Sequence, residues 1–148
     1  MPNWCFNSAT FVGKTKEDVD KIESAAKSGN LFETFKPEGN WGTKWDLRLE
    51  DLNRLSDTEV QLIFDTAWSP PSSFYEKMAE LGFEIDATFL EEGVGFVGYW
   101  NNEEGEEYWE YIPIFEKYGD EYRNHMPEDI AEMVDYAYEN WKEWQEES

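Results

Sequence analysis

Between residues 4 and 89 the spacing of the apolar residues switches several times between two repeats. The two-residue repeat of a half-buried strand occurs in residues 4–12, 45–50, 60–66 and 83–89. A helical repeat lies between Thr15 and Gly29, and a second one between Ser69 and Gly82. The chain therefore predicts the order strand, helix, strand, strand, helix, strand.

This order is that of the split βαβ, or ferredoxin-like, fold, an α+β fold in which two helices cover one face of an antiparallel sheet. A further hairpin is predicted over 94–100 and 106–112, and a long amphipathic helix over 127–147. A length of 148 residues fits one domain. We expect a single domain, 1–148, with a ferredoxin-like core over 1–101 and an acidic extension over 102–148.

The charge balance limits what the chain can bind. Thirty-four acidic residues face twelve basic ones, which gives a net charge of −22. Such a surface repels nucleic-acid phosphates and anionic membranes, so we expect no direct nucleic-acid contact, no membrane contact and a basic partner. The N-terminal residues show no signal peptide, and no apolar run is long enough to cross a bilayer. We therefore predict the cytoplasm as the compartment.

The predicted C-terminal helix carries acidic side chains on one face. They are spaced three or four residues apart and lie within about 80° of arc. Neighbouring carboxylates are about 5–6 Å apart, roughly the spacing of phosphates along a nucleic-acid strand. Apolar residues such as Ile130 and Trp141 occupy the opposite face and are expected to dock on the domain. We call the acidic set the acidic row: Glu128, Glu132, Asp135, Glu139, Glu143 and Glu146.

The acidic row has two interpretations, which the sequence does not separate. In the first, it is a phosphate-like surface that occupies a basic groove on another protein. In the second, it is a solvated helix face that keeps an aromatic-rich protein in solution.

Few residues indicate catalysis or cofactor binding. His125 is the only histidine and Cys5 the only cysteine, so one chain lacks the common zinc ligand sets. Cys5 lies in an apolar strand, where we interpret it as a buried small side chain. We predict no catalytic residue, no cofactor and no specific metal ligands. Magnesium or calcium on oxygen ligands such as Asp46 and Asp65 stays open.

Three glycines spell G-x-G-x-x-G, the pattern of a dinucleotide-binding loop. They are Gly93, Gly95 and Gly98. The dinucleotide pattern requires a helix after the glycines, whereas here a hairpin follows. We interpret these glycines as strand positions that another backbone or an aromatic ring approaches closely.

Four short stretches together carry a family resemblance. They are M-P-N-W-C-F-N-S at 1–8, N-W-G-T-K-W-D at 40–46, F-D-T-A-W-S-P-P at 64–71 and G-V-G-F-V-G at 93–98. In these stretches the chain resembles the YubB ferredoxin-like family of small proteins from bacteriophages, prophages and plasmids. The resemblance covers about the first hundred residues and implies a ferredoxin-like fold and a mobile-element setting. It supplies no catalytic residues.

Polar and aromatic residues of these stretches form a candidate binding cleft at strand ends and adjoining loops. A tryptophan-lined cleft with polar groups at its rim is typical of a ligand site. The alternative is an aromatic core with asparagines that cap loops. The candidate cleft comprises Asn3, Trp4, Asn7, Lys44, Trp45, Asp46, Asp65 and Trp68.

Together these features favour a mobile-element interaction protein without enzymatic activity. Its expected partner is a basic, nucleic-acid-binding host protein, and inhibition of a host defence, of anti-restriction or anti-CRISPR type, is one form of this function. Two alternatives stay open. One is a small-molecule or metal-binding enzyme that uses the tryptophan-lined cleft, and the other is an oligomeric accessory phage protein.

Overall fold

An antiparallel sheet of six strands forms the centre of the computed structural model, which describes residues 3–35 and 46–147. The strands lie side by side in the order β2-β3-β1-β4-β5-β6. The first four have the arrangement predicted for a ferredoxin-like core, and the hairpin β5–β6 extends the sheet beyond β4. Their bounds are β1 (Trp4–Val12), β2 (Arg48–Ser56), β3 (Glu59–Ala67), β4 (Glu84–Glu91), β5 (Phe96–Asn101) and β6 (Gly105–Glu110).

Three helices cover one face of the sheet, which we call the first face. They are α1 (Lys16–Lys27), α2 (Leu31–Phe35) and α3 (Ser72–Glu80). Alternate strand residues such as Phe11 and Phe64 are fully buried beneath them. The helices α1 and α3 confirm the prediction, and the Thr15 side chain accepts a hydrogen bond from the Asp18 backbone N–H at 3.1 Å as the N-cap of α1. The short helix α2 was not predicted.

The C-terminal third forms a separate layer on the opposite, second face. It consists of α4 (Tyr111–Tyr118), a 3-10 helix (Gly119–His125), α5 (Glu128–Met133) and α6 (Asp135–Glu147). Its apolar residues pack around Phe115 and against Val97 and Leu90 of the sheet. This packing explains why strand β5 carries apolar residues on both faces and why Leu90 is apolar on the second face of β4.

The prediction of a single helix over 127–147 is wrong in one respect, because the structure divides this segment into two helices at Val134. Val134 has φ −107° and ψ 4°, outside the helical range, and is fully buried in the second core with Ile130. The interruption belongs to the packing of this core, which helical periodicity alone does not reveal. Trp144, which helical spacing also places on the predicted docking face, is 63% exposed.

No helix in the described part of the chain combines the length and apolarity that a membrane span requires.

Candidate functional site

Three of the four family-like stretches meet at one end of the sheet. The Trp68 backbone N–H donates a hydrogen bond to the Asn3 carbonyl oxygen at 2.7 Å, which joins the start of β1 to the end of β3. Strand β1 also pairs with β4, so that Cys5 lies opposite Glu91. Gly93 lies directly against the Asn3 side chain. We call this region, residues 3–7, 66–69 and 91–95, the motif end.

A buried polar network lies under the first face at the motif end. The Asn7 side chain is fully buried, and its Nδ2 donates to the Thr66 hydroxyl at 2.9 Å and to the Cys5 carbonyl oxygen at 3.0 Å. The Thr66 hydroxyl donates in turn to the Ser69 carbonyl oxygen at 2.6 Å. Because buried polar groups are costly unless paired, this network holds the end of β3 against β1.

The only cysteine has the buried position predicted for it. Cys5 is 0% exposed, and burial raises the pKa of its thiol well above the ordinary value. Since the thiolate is the reactive form, a thiol with a raised pKa is a poor nucleophile at neutral pH. Cys5 therefore serves packing.

Trp68 lies in a strained turn at the motif end. Its φ of +73° is rare for a bulky residue, and the Ser69 N–H donates to the Ala67 carbonyl oxygen at 2.9 Å across it, as in a γ-turn. Such a conformation costs roughly 1–3 kcal/mol and persists only where its surroundings impose it. Here the backbone on both sides of the turn is held by the bond from Trp68 to Asn3 and by the Thr66–Ser69 bond, and the indole remains 47% exposed.

The predicted cleft residues do not share one face of the sheet. Asn7 points towards the helices of the first face, whereas Trp4 and Asp65 lie on the second face. There the Arg48 guanidinium stacks 4.2 Å from the Trp4 ring centroid and donates to Asp65 at 3.0 Å. Among the described residues, the predicted cleft is thus not one site. Asn7 belongs to the buried network, whereas Trp4 and Asp65 form a separate cluster with Arg48. Lys44 and Trp45 lie outside the described residues.

Asp46 has a structural role that the sequence did not indicate. Its carboxylate accepts hydrogen bonds from the backbone N–H groups of Phe32 and Glu33, each at 3.1 Å, and from that of Leu47 at 2.8 Å. The first two belong to the first turn of α2, whose N–H groups have no partner within the helix. Asp46 therefore caps a helix that begins fifteen residues earlier in the chain.

We expect Asp46→Ala to lower the free energy of unfolding by about 1–2 kcal/mol, the usual cost of losing a capping side chain. Asp46→Asn, which keeps one acceptor oxygen, should lose less than half of that. Chemical denaturation monitored by circular dichroism measures both. An alanine variant as stable as the parent would show that the cap contributes nothing.

The glycine prediction is confirmed for Gly98, whereas Gly93 and Gly95 lie in the turn between β4 and β5 and not in a strand. A Cβ on Gly93 would lie 2.3 Å from the Asn3 side chain, and a Cβ on Gly98 would lie 2.1 Å from the Glu107 carbonyl oxygen. Gly95 has φ +98° in the β4–β5 turn. Each glycine is required by a close approach or by its backbone conformation.

The acidic row spans two helices. Glu128 and Glu132 lie on α5, and the remaining four residues lie on α6. All five glutamates of the row are exposed, whereas the buried side chains of both helices face the second core. The C-terminal layer therefore docks on the sheet of its own chain and directs these glutamates to solvent.

Asp135 differs from the other members of the row. It accepts hydrogen bonds from the Tyr122 hydroxyl and the Arg123 guanidinium, so it ties α6 to the 3-10 helix. Burial raises the pKa of the Asp135 carboxyl, but the bonds from Arg123 and Tyr122 outweigh it and lower the pKa overall. Lys142, the one basic residue of α6, lies 3.5 Å from Asp120. None of the row's glutamates forms an ion pair with a lysine or arginine among residues 3–35 and 46–147.

Three other features bear on a ligand site. A cleft of about 620 Å³ lies at the opposite end of the sheet, where Glu59, Glu84, Asp86 and Glu103 contribute to its lining. Within residues 3–35 and 46–147, no group of three or more His, Cys, Asp or Glu side chains is arranged to hold a metal ion. His125 stacks on Tyr118 with ring centroids 3.4 Å apart.

The sheet order, the two helical layers and the exposed glutamates define an acidic α+β protein built on a ferredoxin-like core. The chain belongs to the family described as the ferredoxin-like domain in Api92-like protein, whose model matches residues 40–137. The match confirms a ferredoxin-like family and extends through β6 and α5 into α6. No curated protein and no solved structure matches the chain significantly.

Proposed function

We propose that this chain is an acidic interaction protein whose glutamate row occupies a basic, nucleic-acid-binding surface of another protein. The observation that carries the proposal is the outward projection of Glu128, Glu132, Glu139, Glu143 and Glu146 from helices whose other side is held by the second core. Like charges at helical spacing disfavour a helix by roughly 0.2–0.5 kcal/mol per pair, so the arrangement opposes stability.

The rigid support of the row favours recognition over simple solvation. A solvated helix face requires only charge, whereas a surface that mimics phosphates requires carboxylates at fixed positions. The Tyr122–Asp135–Arg123 contacts and the Tyr138–Asp120 hydrogen bond hold α6 in place. Because this support reduces the ordering cost of binding, it favours association with a preformed basic groove.

The resemblance to YubB-type proteins of phages, prophages and plasmids supports a more specific form of the proposal. In that setting the basic partner is a host defence protein, and the chain acts as an inhibitor of anti-restriction or anti-CRISPR type in the host cytoplasm. A protein of net charge −22 gains attraction to such a partner at long range, which raises the association rate at low salt.

The test is capture of partners from a bacterial lysate, with the captured protein then purified and its DNA binding measured. We expect binding to weaken steeply with salt, and the chain to displace duplex DNA from the captured protein. The variant Glu132→Lys/Glu139→Lys/Glu143→Lys should abolish both effects. Asp135 is left unchanged because it contributes to folding.

The matched control is Glu76→Lys/Glu80→Lys/Glu84→Lys, which changes the net charge equally and alters exposed residues away from the row. The control should keep most of the binding. Equal losses in the two variants would show that net charge alone drives capture, and unchanged binding by the row variant would refute the proposal.

A further inference from the structure

A groove on the first face, beside the edge strand β6, is not covered by any described helix. Helix α3 packs on β5, where Tyr75 contacts Trp100 with ring centroids 5.7 Å apart, and its first residue, Ser72, bonds to Glu106 of β6, but no residue of β6 belongs to the apolar core beneath α1, α2 and α3. The volume of the groove is about 380 Å³. We call it the β6 groove, and its main lining residues are Pro70, Val94, Phe96, Glu106, Tyr108 and Glu110.

The floor and one wall of the β6 groove are apolar. Phe89, Phe96 and Tyr108 form a chain of edge-to-face rings, with centroids 6.0 and 6.1 Å apart. Val94 is 67% exposed and Tyr108 is 57% exposed. Large exposed apolar side chains that cluster in this way mark interaction sites more often than scattered ones do. The strained turn that exposes Trp68 immediately precedes Ser69 and Pro70 of the opposite wall.

The rim of the β6 groove is acidic. Glu106 and Glu110 project on the same face of β6 as Tyr108, and the Ser72 hydroxyl donates a hydrogen bond to Glu106. Neither glutamate forms an ion pair with a lysine or arginine in the described part of the chain. The sequence also contains no basic residue between Lys77 and Lys117.

We propose that the β6 groove binds a segment of another protein in which arginine or lysine alternates with apolar side chains. The apolar side chains would lie on Phe96 and Val94, and a guanidinium would lie over Tyr108 within reach of Glu110. A cation over an aromatic ring and beside a carboxylate gains from both contacts. An acidic segment lacks the contacts of the cation, and a basic segment without apolar side chains lacks the contacts with Phe96 and Val94. The groove therefore selects a basic amphipathic segment.

The β6 groove is a second surface, on the other side of the sheet from the acidic row of the proposed function. The acidic row lies on the layer that covers the second face, whereas the β6 groove opens on the first face. A single partner could use both only by passing around the edge of the sheet. The two surfaces can therefore be tested separately.

The probe is a fluorescein-labelled nine-residue peptide that alternates arginine and leucine, titrated with the full chain and followed by fluorescence anisotropy. Peptides that alternate glutamate with leucine, and arginine with serine, are the controls. We expect only the arginine–leucine peptide to bind tightly, with amide chemical-shift changes at Val94, Phe96 and Tyr108. Glu106→Gln/Glu110→Gln should weaken this binding about ten-fold.

The matched control variant is Glu139→Gln/Glu143→Gln, which removes the same charge from the acidic row and should change the affinity less than two-fold. Equal weakening by the two variants, shifts that map to α5 and α6, or equal binding of the arginine–serine peptide would overturn the groove proposal. A dimer in light scattering, together with changes on dilution in the amide shifts of Val94, Phe96 and Tyr108, would mean that a second copy of the chain occupies the groove. This result would also overturn the proposal. Partner capture through the acidic row is measured independently, so either proposal can fail alone.

Discussion

Replacing Phe115 by alanine should destabilise the protein by about 4 kcal/mol, the usual cost of truncating a buried phenylalanine. Phe115 is fully buried in α4, and its ring contacts those of Tyr122 and Tyr138 with centroid distances of 5.1 and 5.0 Å. Trp141 is 5.7 Å away. One side chain thus joins α4, the 3-10 helix and α6, and its loss leaves a cavity shared by all three.

The C-terminal layer should respond most strongly to this change. We expect Phe115→Ala to lower the melting temperature by about 8–16 °C, since 1 kcal/mol corresponds to roughly 2–4 °C in a chain of this size. Limited proteolysis should cut the variant first within residues 111–147. The acidic row would then lose its support, so partner capture should fall together with stability.

An exposed aromatic residue of the same layer provides the control. Tyr136 on α6 is 76% exposed, and Tyr136→Ala should change the free energy of unfolding by less than about 0.5 kcal/mol. A Phe115→Ala variant that loses less than about 1 kcal/mol, with an unchanged proteolysis pattern, would show that the second core does not depend on this ring.

Gly98→Ala should also destabilise the protein strongly, by about 3 kcal/mol, because the added methyl group has no space. Its position would be 2.1 Å from the Glu107 carbonyl oxygen, 2.7 Å from the Phe89 ring and 2.8 Å from the Tyr108 Cα. Two of these atoms are backbone of the paired strand β6, so relief requires separating β5 from β6. The hairpin that forms the β6 groove would be distorted.

Gly105→Ala tests whether the effect at Gly98 comes from crowding. Gly105 lies in the same hairpin with φ +69° and no atom within 4 Å of an added Cβ. Alanine there should cost only the strain of a left-handed backbone, about 1 kcal/mol. Denaturant titration of both variants gives the difference. Similar losses at the two positions would mean that the contact with β6 is looser than the structure shows.

Local patterns in the sequence were enough to predict most of the core. Strands β1, β3 and β4 and helices α1 and α3 each bury one face, and burial on one face imposes a repeat of two or 3.6 residues. Strand β2 was predicted over 45–50 but runs from Arg48 to Ser56, where exposed positions interrupt the alternation. Helix α2 was missed because it is only five residues long.

The candidate sites were predicted less completely, because a site depends on residues that are distant in sequence. The spacing of the acidic row indicated which side of the helix would be charged, and its glutamates are exposed as that spacing requires. The role of Asp135 depends on Arg123 and Tyr122, and the role of Asp46 on α2. Neither partnership follows a periodic pattern, so neither was detectable beforehand.

The sequence alone determined the order of strands β1 to β4 and helices α1 and α3, the ferredoxin-like class, the excess of negative charge and the buried character of Cys5. Each of these follows from residue types and from repeats within about twenty residues. Only the tertiary structure decided that the C-terminal layer covers the second face, that its helix divides at Val134, and that the groove beside β6 stays open. These features depend on how separate segments share one sheet, and the free energy of that packing comes from contacts between residues that no local repeat relates.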